Sequence, residues 1–244
     1  LDFEIDRATW YRYETLANGQ TIRVPRSDRF TTGDGLAHVE RRHSGLGLGS
    51  YAEMMYSNVT AGTAKNTFTT EFQLNDTTGM GPVFTLPAQY FNPQAGIGKT
   101  LRIIGSVIQL GTASTPPTWQ VIHRLNPVVT PAVGPTGPNV GGMTAGVTGT
   151  TTASTLWRSE LDVQCTIQGA AGNNSTLRGN GMVWSPTGFV SPFMAALLGS
   201  GASPGTVATF DWSLLNTLTY VVVCGTSLAA NQVQLVQLMV IGLN

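Results

Sequence analysis

The chain has 244 residues, enough to bury a sizeable core in one domain, yet only 11% of them are Asp, Glu, Lys or Arg, against roughly 25% in an average soluble domain. The 13 basic and 13 acidic residues cancel, and no basic run occurs, so the phosphate neutralisation that underlies nucleic-acid affinity has no source. Apolar runs such as 221–224 and 238–241 fall far below the roughly 18 residues a helix needs to cross a bilayer, so neither nucleic acid nor membrane is expected as a partner.

Charge is spread unevenly, and this marks a boundary. Residues 1–66 hold most of it, including Arg7, Arg12, Glu14, Arg23, Arg41 and Arg42, interleaved with Phe3, Trp10, Tyr11, Tyr13, Phe30, Tyr51 and Tyr56. The turn residues Ala17, Asn18, Gly19 and Gln20 separate two short runs, 13–16 and 21–24, in the manner of a hairpin. After Pro25 a Gly-rich stretch to Ser50 keeps no sustained period. Such a segment is too short and polar to fold alone and too aromatic for a disordered tail. Residues 1–66 are therefore expected to form an extended N-terminal arm that orders by lying on another protein. Its interface candidates are Trp10, Tyr11, Arg12, Tyr13, Arg41 and Arg42, because Arg, Tyr and Trp dominate such contacts.

From residue 67 to 244 the text changes to short alternating runs punctuated by turns, the mark of a β-domain. Residues 67–74 alternate Phe68, Thr70, Phe72 and Leu74 against polar neighbours, and a turn cluster follows at 75–81. A short run at 83–86 and a loop lead to a long strand at 100–110, with Leu101, Ile103, Gly105 and Val107 on one face. The run 118–125 continues the series. Residues 126–154 are rich in Pro, Gly, Thr and Val and read as a long connection of functional or intermolecular use. Residues 157–167 give the clearest half-buried strand, with Trp157, Ser159, Leu161, Val163, Cys165 and Ile167 against Arg158, Glu160, Asp162, Gln164 and Thr166. Residues 176–184 answer it across a turn. The stretch 191–198 reads as a loop with a helical turn, followed by a run at 207–212. Two β-branched runs, 218–224 and 232–243, joined by small residues, read as an antiparallel pair. Their double-sided apolar character suits the middle of a sheet or a face covered by a neighbouring subunit. Eight or nine strands with long excursions between some of them predict a jelly-roll-like β-sandwich.

No constellation of catalytic residues stands out. Gly96-Ile97-Gly98-Lys99-Thr100 resembles the end of a phosphate-binding loop, but Pro93 stands where the first Gly is needed, and a strand follows in place of a helix. His38, Glu40 and His43 match no strong zinc spacing, and Gly45, Gly47 and Gly49 lack a βαβ context. His123 has no acidic neighbour in its run, and no Gly-x-Ser-x-Gly elbow occurs. A glycosidase pair could come only from Glu71, Asp76, Glu160, Asp162 and Asp211, of which Glu160 and Asp162 share a solvated strand face. Cys165 and Cys224 sit at inward positions and read as two buried free thiols in preference to a sheet-to-sheet disulfide. The chain is expected to be no enzyme and to hold no cofactor or metal.

Several stretches carry a family likeness: Thr100-Leu101-Arg102-Ile103-Ile104-Gly105, Leu156-Trp157-Arg158-Ser159-Glu160-Leu161-Asp162-Val163, the turn region Arg178-Gly179-Asn180-Gly181, and the closing runs from Val221-Val222-Val223-Cys224 to Val240. Through them, roughly residues 101–244 resemble the jelly-roll proteins of tailed-bacteriophage virions. Members of that group are trimeric capsid decoration (cement) proteins, head or tail fibres, and receptor-binding modules. The resemblance implies a homotrimeric structural protein at the virion's capsid surface that binds the major capsid protein and stabilises the shell. An alternative is a head- or tail-fibre module that recognises host surface glycan through loop aromatics such as Trp119, Trp184, Phe189 and Trp212.

Overall fold

A computed structural model describes the backbone of residues 11–15 and 21–25, and residues 52–76, 80, 83–91, 99–111, 117–128, 137–149, 155–167, 175–185, 193–202 and 205–243. The chain divides into two units, Leu1–Tyr51 and Ala52–Asn244. In the first, β1 (Tyr11–Thr15) and β2 (Thr21–Pro25) pair antiparallel, with Tyr11 opposite Pro25 and Thr15 opposite Thr21. This is the hairpin that the Asn18-Gly19 turn signal predicts.

The second unit is nearly all β. Its strands are β3 (Ala52–Asn58), β4 (Phe72–Gln73), β5 (Thr85–Leu86), β6 (Thr100–Gly111), β7 (Thr118–Pro127), β8 (Asn139–Met143) and β9 (Val147–Thr148), then β10 (Thr155–Ile167), β11 (Ser175–Ser185), β12 (Phe193–Leu198), β13 (Thr206–Phe210), β14 (Asn216–Cys224) and β15 (Gln232–Leu243). One antiparallel path joins them in the order β3-β15-β6-β10-β11-β12-β8-β7-β14-β4, with β13 on β11, β5 on β14 and β9 on β7. The path doubles over near β12, so that β6 and β10 face β14, β7 and β8. Trp157 on β10 meets Trp119 on β7 with ring centroids 5.5 Å apart. Tyr220 on β14 lies over Gly105 on β6, and Leu161 on β10 lies over Gly141 on β8. The result is a jelly-roll-like β-sandwich with a continuous core of Leu101, Ile103, Val107, Trp119, Val121, Trp157, Leu161, Tyr220, Val222, Leu235 and their neighbours. Among the described residues no helix is long and apolar enough to cross a membrane.

The long strands fall where alternation predicts them. On β10 burial alternates along its length, with Trp157, Ser159, Leu161, Val163 and Cys165 inside, as strand geometry requires of a sheet with one wet face. Cys165 and Cys224 are both buried and free.

Other elements depart from expectation for identifiable reasons. The closing runs are both strands, but they do not pair with each other: β14 lies between β7 and β4/β5, and β15 lies between β3 and β6. Residues 225–231 carry the chain from one layer to the other. The alternation of β15 also changes parity, with Val233 and Leu235 buried first and Leu238 and Val240 afterwards. A register shift against β6 between Leu235 and Gln237 accounts for it, Val236 being the extra residue of a β-bulge.

The run 67–74 shrinks to β4, which pairs with β14 through Phe72 and Gln73 alone; the Leu74 N–H still donates to the Tyr220 carbonyl, and beyond it the side chain of Asn75 replaces backbone pairing. Its amide nitrogen donates to the Leu218 carbonyl and its oxygen accepts from the Tyr220 N–H, each at 2.7 Å. Residues 193–198 form β12 rather than a helical turn, held between β11 and β8. The stretch 126–154 contains β8 and β9. Residues 52–66, grouped with the arm on composition, belong to the sandwich unit: β3 pairs with β15, the Gly62 N–H donates to the Leu235 carbonyl, and Lys65 bridges Val233.

A small polar cluster sits inside the core. The Tyr220 hydroxyl lies 2.9 Å from Ser159 Oγ, and burial pushes the phenol above its ordinary range. The His123 ring packs edge-on against Tyr220 at 4.7 Å, and its Nδ1–H donates to the Gly141 carbonyl at 3.0 Å. Its Nε2 is buried with no hydrogen-bond partner among the described residues. Burial lowers the imidazole pKa from 6.5 to about 4, the bond to Gly141 opposing only weakly.

Two outcomes are expected from urea unfolding. At Gly105 an added Cβ would stand 2.3 Å from a Tyr220 ring carbon, so Gly105→Ala should lower stability by about 1–3 kcal/mol through overpacking. For His123 the unfolded chain takes up a proton below pH 6.5 that the folded one refuses until about pH 4. Stability should therefore fall by about 3 kcal/mol as pH drops through that window, and His123→Gln should remove that part of the slope.

Candidate functional site

The outward face of β6, β10, β11 and β12 carries much of the charge of a charge-poor unit, arranged by register in three cross-strand rows. The first is Arg102, Asp162, Asn180 and Leu198; the second is Ile104, Glu160, Met182 and Ala196; the third is Ser106, Arg158, Trp184 and Met194. Parity places them an odd step from the core-facing residues of their own strands, although Ile104 and Ser106 on β6 are themselves buried.

Arg102 organises the centre. Its Nε and Nη2 donate to the two oxygens of Asp162 at 2.7 and 2.8 Å, and its Nη1 lies 3.3 Å from Glu160. The bond to Asp162 raises the guanidinium pKa further. One planar side chain thus holds two carboxylates in set positions. Arg158 stacks over the Trp184 ring at 5.8 Å, an arrangement that suits a guanidinium over an indole. Glu160, Asp162, Asn180, Gly181, Met182 and Trp184 line a shallow depression of about 300 Å³. Its two carboxylates and the two guanidinium groups beside it sum to zero charge. Met182 and Met194 are 44% and 73% exposed, giving the lower rows an apolar border.

A second depression, of about 430 Å³, lies between β3 and residues 83–87, lined by Met54, Met55, Tyr56, Phe84 and Pro87 with Glu53 at its edge. Nearby, burial and then the Glu53 charge push the Tyr90 phenol up to about 12.

The arm's expected interface is only partly in view. Tyr11, Arg12 and Tyr13 lie on β1, whereas Trp10, Arg41 and Arg42 lie outside the described residues, as do His38, Glu40, His43, Gly96 and Phe189. Among the described residues no group of three His, Cys, Asp or Glu could hold a metal. The candidate glycosidase carboxylates are dispersed and engaged. Arg124 holds Glu71 at 2.5 and 2.7 Å, Lys65 pairs with Asp76, and Asp211 accepts from the Ser213 N–H and hydroxyl at 2.8 and 2.6 Å. Of the aromatics considered for sugar stacking, Trp119 is sealed in the core and Trp212 packs against it. Trp184 reaches the surface, from a strand rather than a loop. The sequence places Glu160 and Asp162 on a wet face; their meeting with Asn180, Met182 and Trp184 depends on the β10–β11 register, which only the turn between them could have signalled.

No family model matches the chain, and no curated protein matches it. Among solved structures it is similar to the CBM2 module of the evolved Dit of Lactobacillus casei BL23 phage J-1, with 11% identity, a TM-score of 0.34, and coverage of 80% of this chain and 97% of that one. It is also similar to peanut lectin with a nine-residue peptide, with 9% identity, a TM-score of 0.34 and the same coverages. A third is the endo-1,3-beta-glucanase from Streptomyces sioyaensis, with 12% identity, a TM-score of 0.27, and coverage of 79% and 97%. At these values the likeness is one of all-β make-up and carries nothing about activity.

Proposed function

We propose that the chain is a non-catalytic structural protein of a virion: a homotrimeric capsid decoration subunit that binds the major capsid protein shell and stabilises it. The observation that carries this reading is how the sandwich treats its charge. Only 11% of the whole chain is charged, most of it in residues 1–66, and in the sandwich unit Glu71, Asp76, Glu160 and Asp162 are each engaged by an Arg or Lys of the same unit. A surface whose charges are already satisfied internally can be covered by identical copies or by a shell without stranding an ion. Closure into a ring also protects sheet edges that would otherwise template aggregation. The resemblance of residues 101–244 to phage jelly-roll virion proteins supports the same reading.

In this reading the N-terminal arm is the attachment segment, with Trp10, Tyr11, Arg12, Tyr13, Arg41 and Arg42 against the capsid or neighbouring subunits. The mechanism is mechanical: added interface between capsomers opposes internal pressure.

Light scattering of the purified protein should give the mass of three chains, and the protein should co-sediment with shells assembled from the major capsid protein alone. Deletion of residues 1–50 should abolish co-sedimentation and leave the sandwich folded. Undiminished binding by the truncated chain would remove the arm from the mechanism, and failure of the intact chain to bind shells would remove the decoration role.

A further inference from the structure

We propose that the depression between β10 and β11 is a binding site for a neutral oligosaccharide of at least two units. The proposal goes beyond shell attachment and does not depend on it. It rests on which groups converge there and on what they leave unsatisfied.

Three kinds of group line the site. The Trp184 indole supplies an apolar ring at the surface, backed on one strand by Arg158 and flanked on the other by Met194. The Asn180 amide, cross-strand from Asp162, is exposed and offers both donor and acceptor. Glu160 and Asp162 keep spare lone pairs after Arg102 has bound them. A pyranose presents this combination in reverse, with a C–H face to lie on an indole and a rim of hydroxyls that both donate and accept.

Charge narrows the ligand class. Glu160 and Asp162 offset Arg102 and Arg158, so an anionic or cationic ligand gains no net attraction, whereas a neutral polyhydroxylated one loses nothing. The fork of Arg102 also fixes the carboxylates before any ligand arrives, which lowers the ordering cost of binding. Length narrows it further. Asn180 and Trp184 are four residues apart on an extended strand, about 14 Å at a rise of roughly 3.4 Å per residue. That exceeds one pyranose ring, so a sugar stacked on Trp184 needs a linked neighbour to reach Asn180 and Asp162. The depression of about 300 Å³ lies at the small end of ligand sites.

The test is isothermal titration calorimetry of the full chain with cellotriose, maltotriose, chitotriose, mannotriose and lactose. At least one should bind, with an affinity unchanged by added salt because no net charge is neutralised. Trp184→Ala and Asn180→Ala should each weaken that binding by at least about tenfold, with Trp184→Phe retaining part of it. Leu228→Ala, in the loop between β14 and β15, should bind as the parent does. Asn180 is exposed and makes no fold contact named above, so its variant remains informative if Trp184→Ala unfolds. No heat with any of the five sugars overturns the proposal. So does binding that survives both substitutions, or binding that collapses as salt is raised. Shell co-sedimentation measured on the same variants keeps the outcomes separate: loss of sugar binding with intact shell binding bears on this site alone.

Discussion

Everything in the sandwich depends on how closely its two layers approach. Tyr220 occupies the space above Gly105, and Leu161 occupies the space above Gly141; a side chain at either glycine would force these neighbours to shift. Around these two contacts pack the Trp119–Trp157 pair, with ring centroids 5.5 Å apart, and the aliphatic core. Each large apolar side chain sealed there contributes about 1.5–3 kcal/mol. Close approach also explains the polar cluster. Ser159 on β10 meets Tyr220 on β14 across the layers at 2.9 Å, and His123 joins them as the cross-strand neighbour of Tyr220 within its own layer.

The same packing divides the charges. With the interior closed, the few ionised side chains of the unit are confined to its wet faces. There they pair: Arg102 with Glu160 and Asp162, Arg124 with Glu71, and Lys65 with Asp76. The Arg102 pairs, about a third exposed, contribute little to stability, typically below about 1 kcal/mol each, while those of Arg124 and Lys65 are more buried. What they do is fix side-chain positions and cancel local fields, so that the outward surface reads as neutral to whatever approaches it. A decoration subunit and a sugar-binding shelf make the same demand on that surface.

Legibility in the sequence followed physical strength. β10 and β11 were readable because burial on one face imposes period-two alternation, whereas β6 and β7, buried on both faces over part of their length, were readable from their β-branched and apolar content. β8 was not, since Asn139, Gly141 and Gly142 carry no strand preference of their own; tertiary closeness to Leu161 selects them. β12 was hidden by small residues in Ala195 and Ala196. The closing runs were identified as strands but assigned to each other, because a seven-residue small-residue link looks the same whether it turns within a layer or crosses between layers. The parity change in β15 was visible as a second apolar face, and only pairing with β6 identifies it as a bulge at Val236. At the candidate site the polar parity of Glu160 and Asp162 was readable, but the partnership with Trp184 and Asn180 required register. Cross-strand distance is not written in composition.

The position of β15 carries a consequence for how the chain comes into being on the ribosome. β3 has its ladder partner in β15, and so does one edge of β6, yet synthesis separates β3 from β15 by nearly the whole length of the sandwich. Until residues 232–243 emerge, β3 lacks its neighbour and β6 presents an open edge, so one layer cannot close however well the other has formed. Contacts of such sequence separation are slow to make and leave partly formed sheet exposed meanwhile. The nascent sandwich is thus committed to a late, all-at-once closure, and premature pairing between neighbouring nascent chains is the hazard that closure ends.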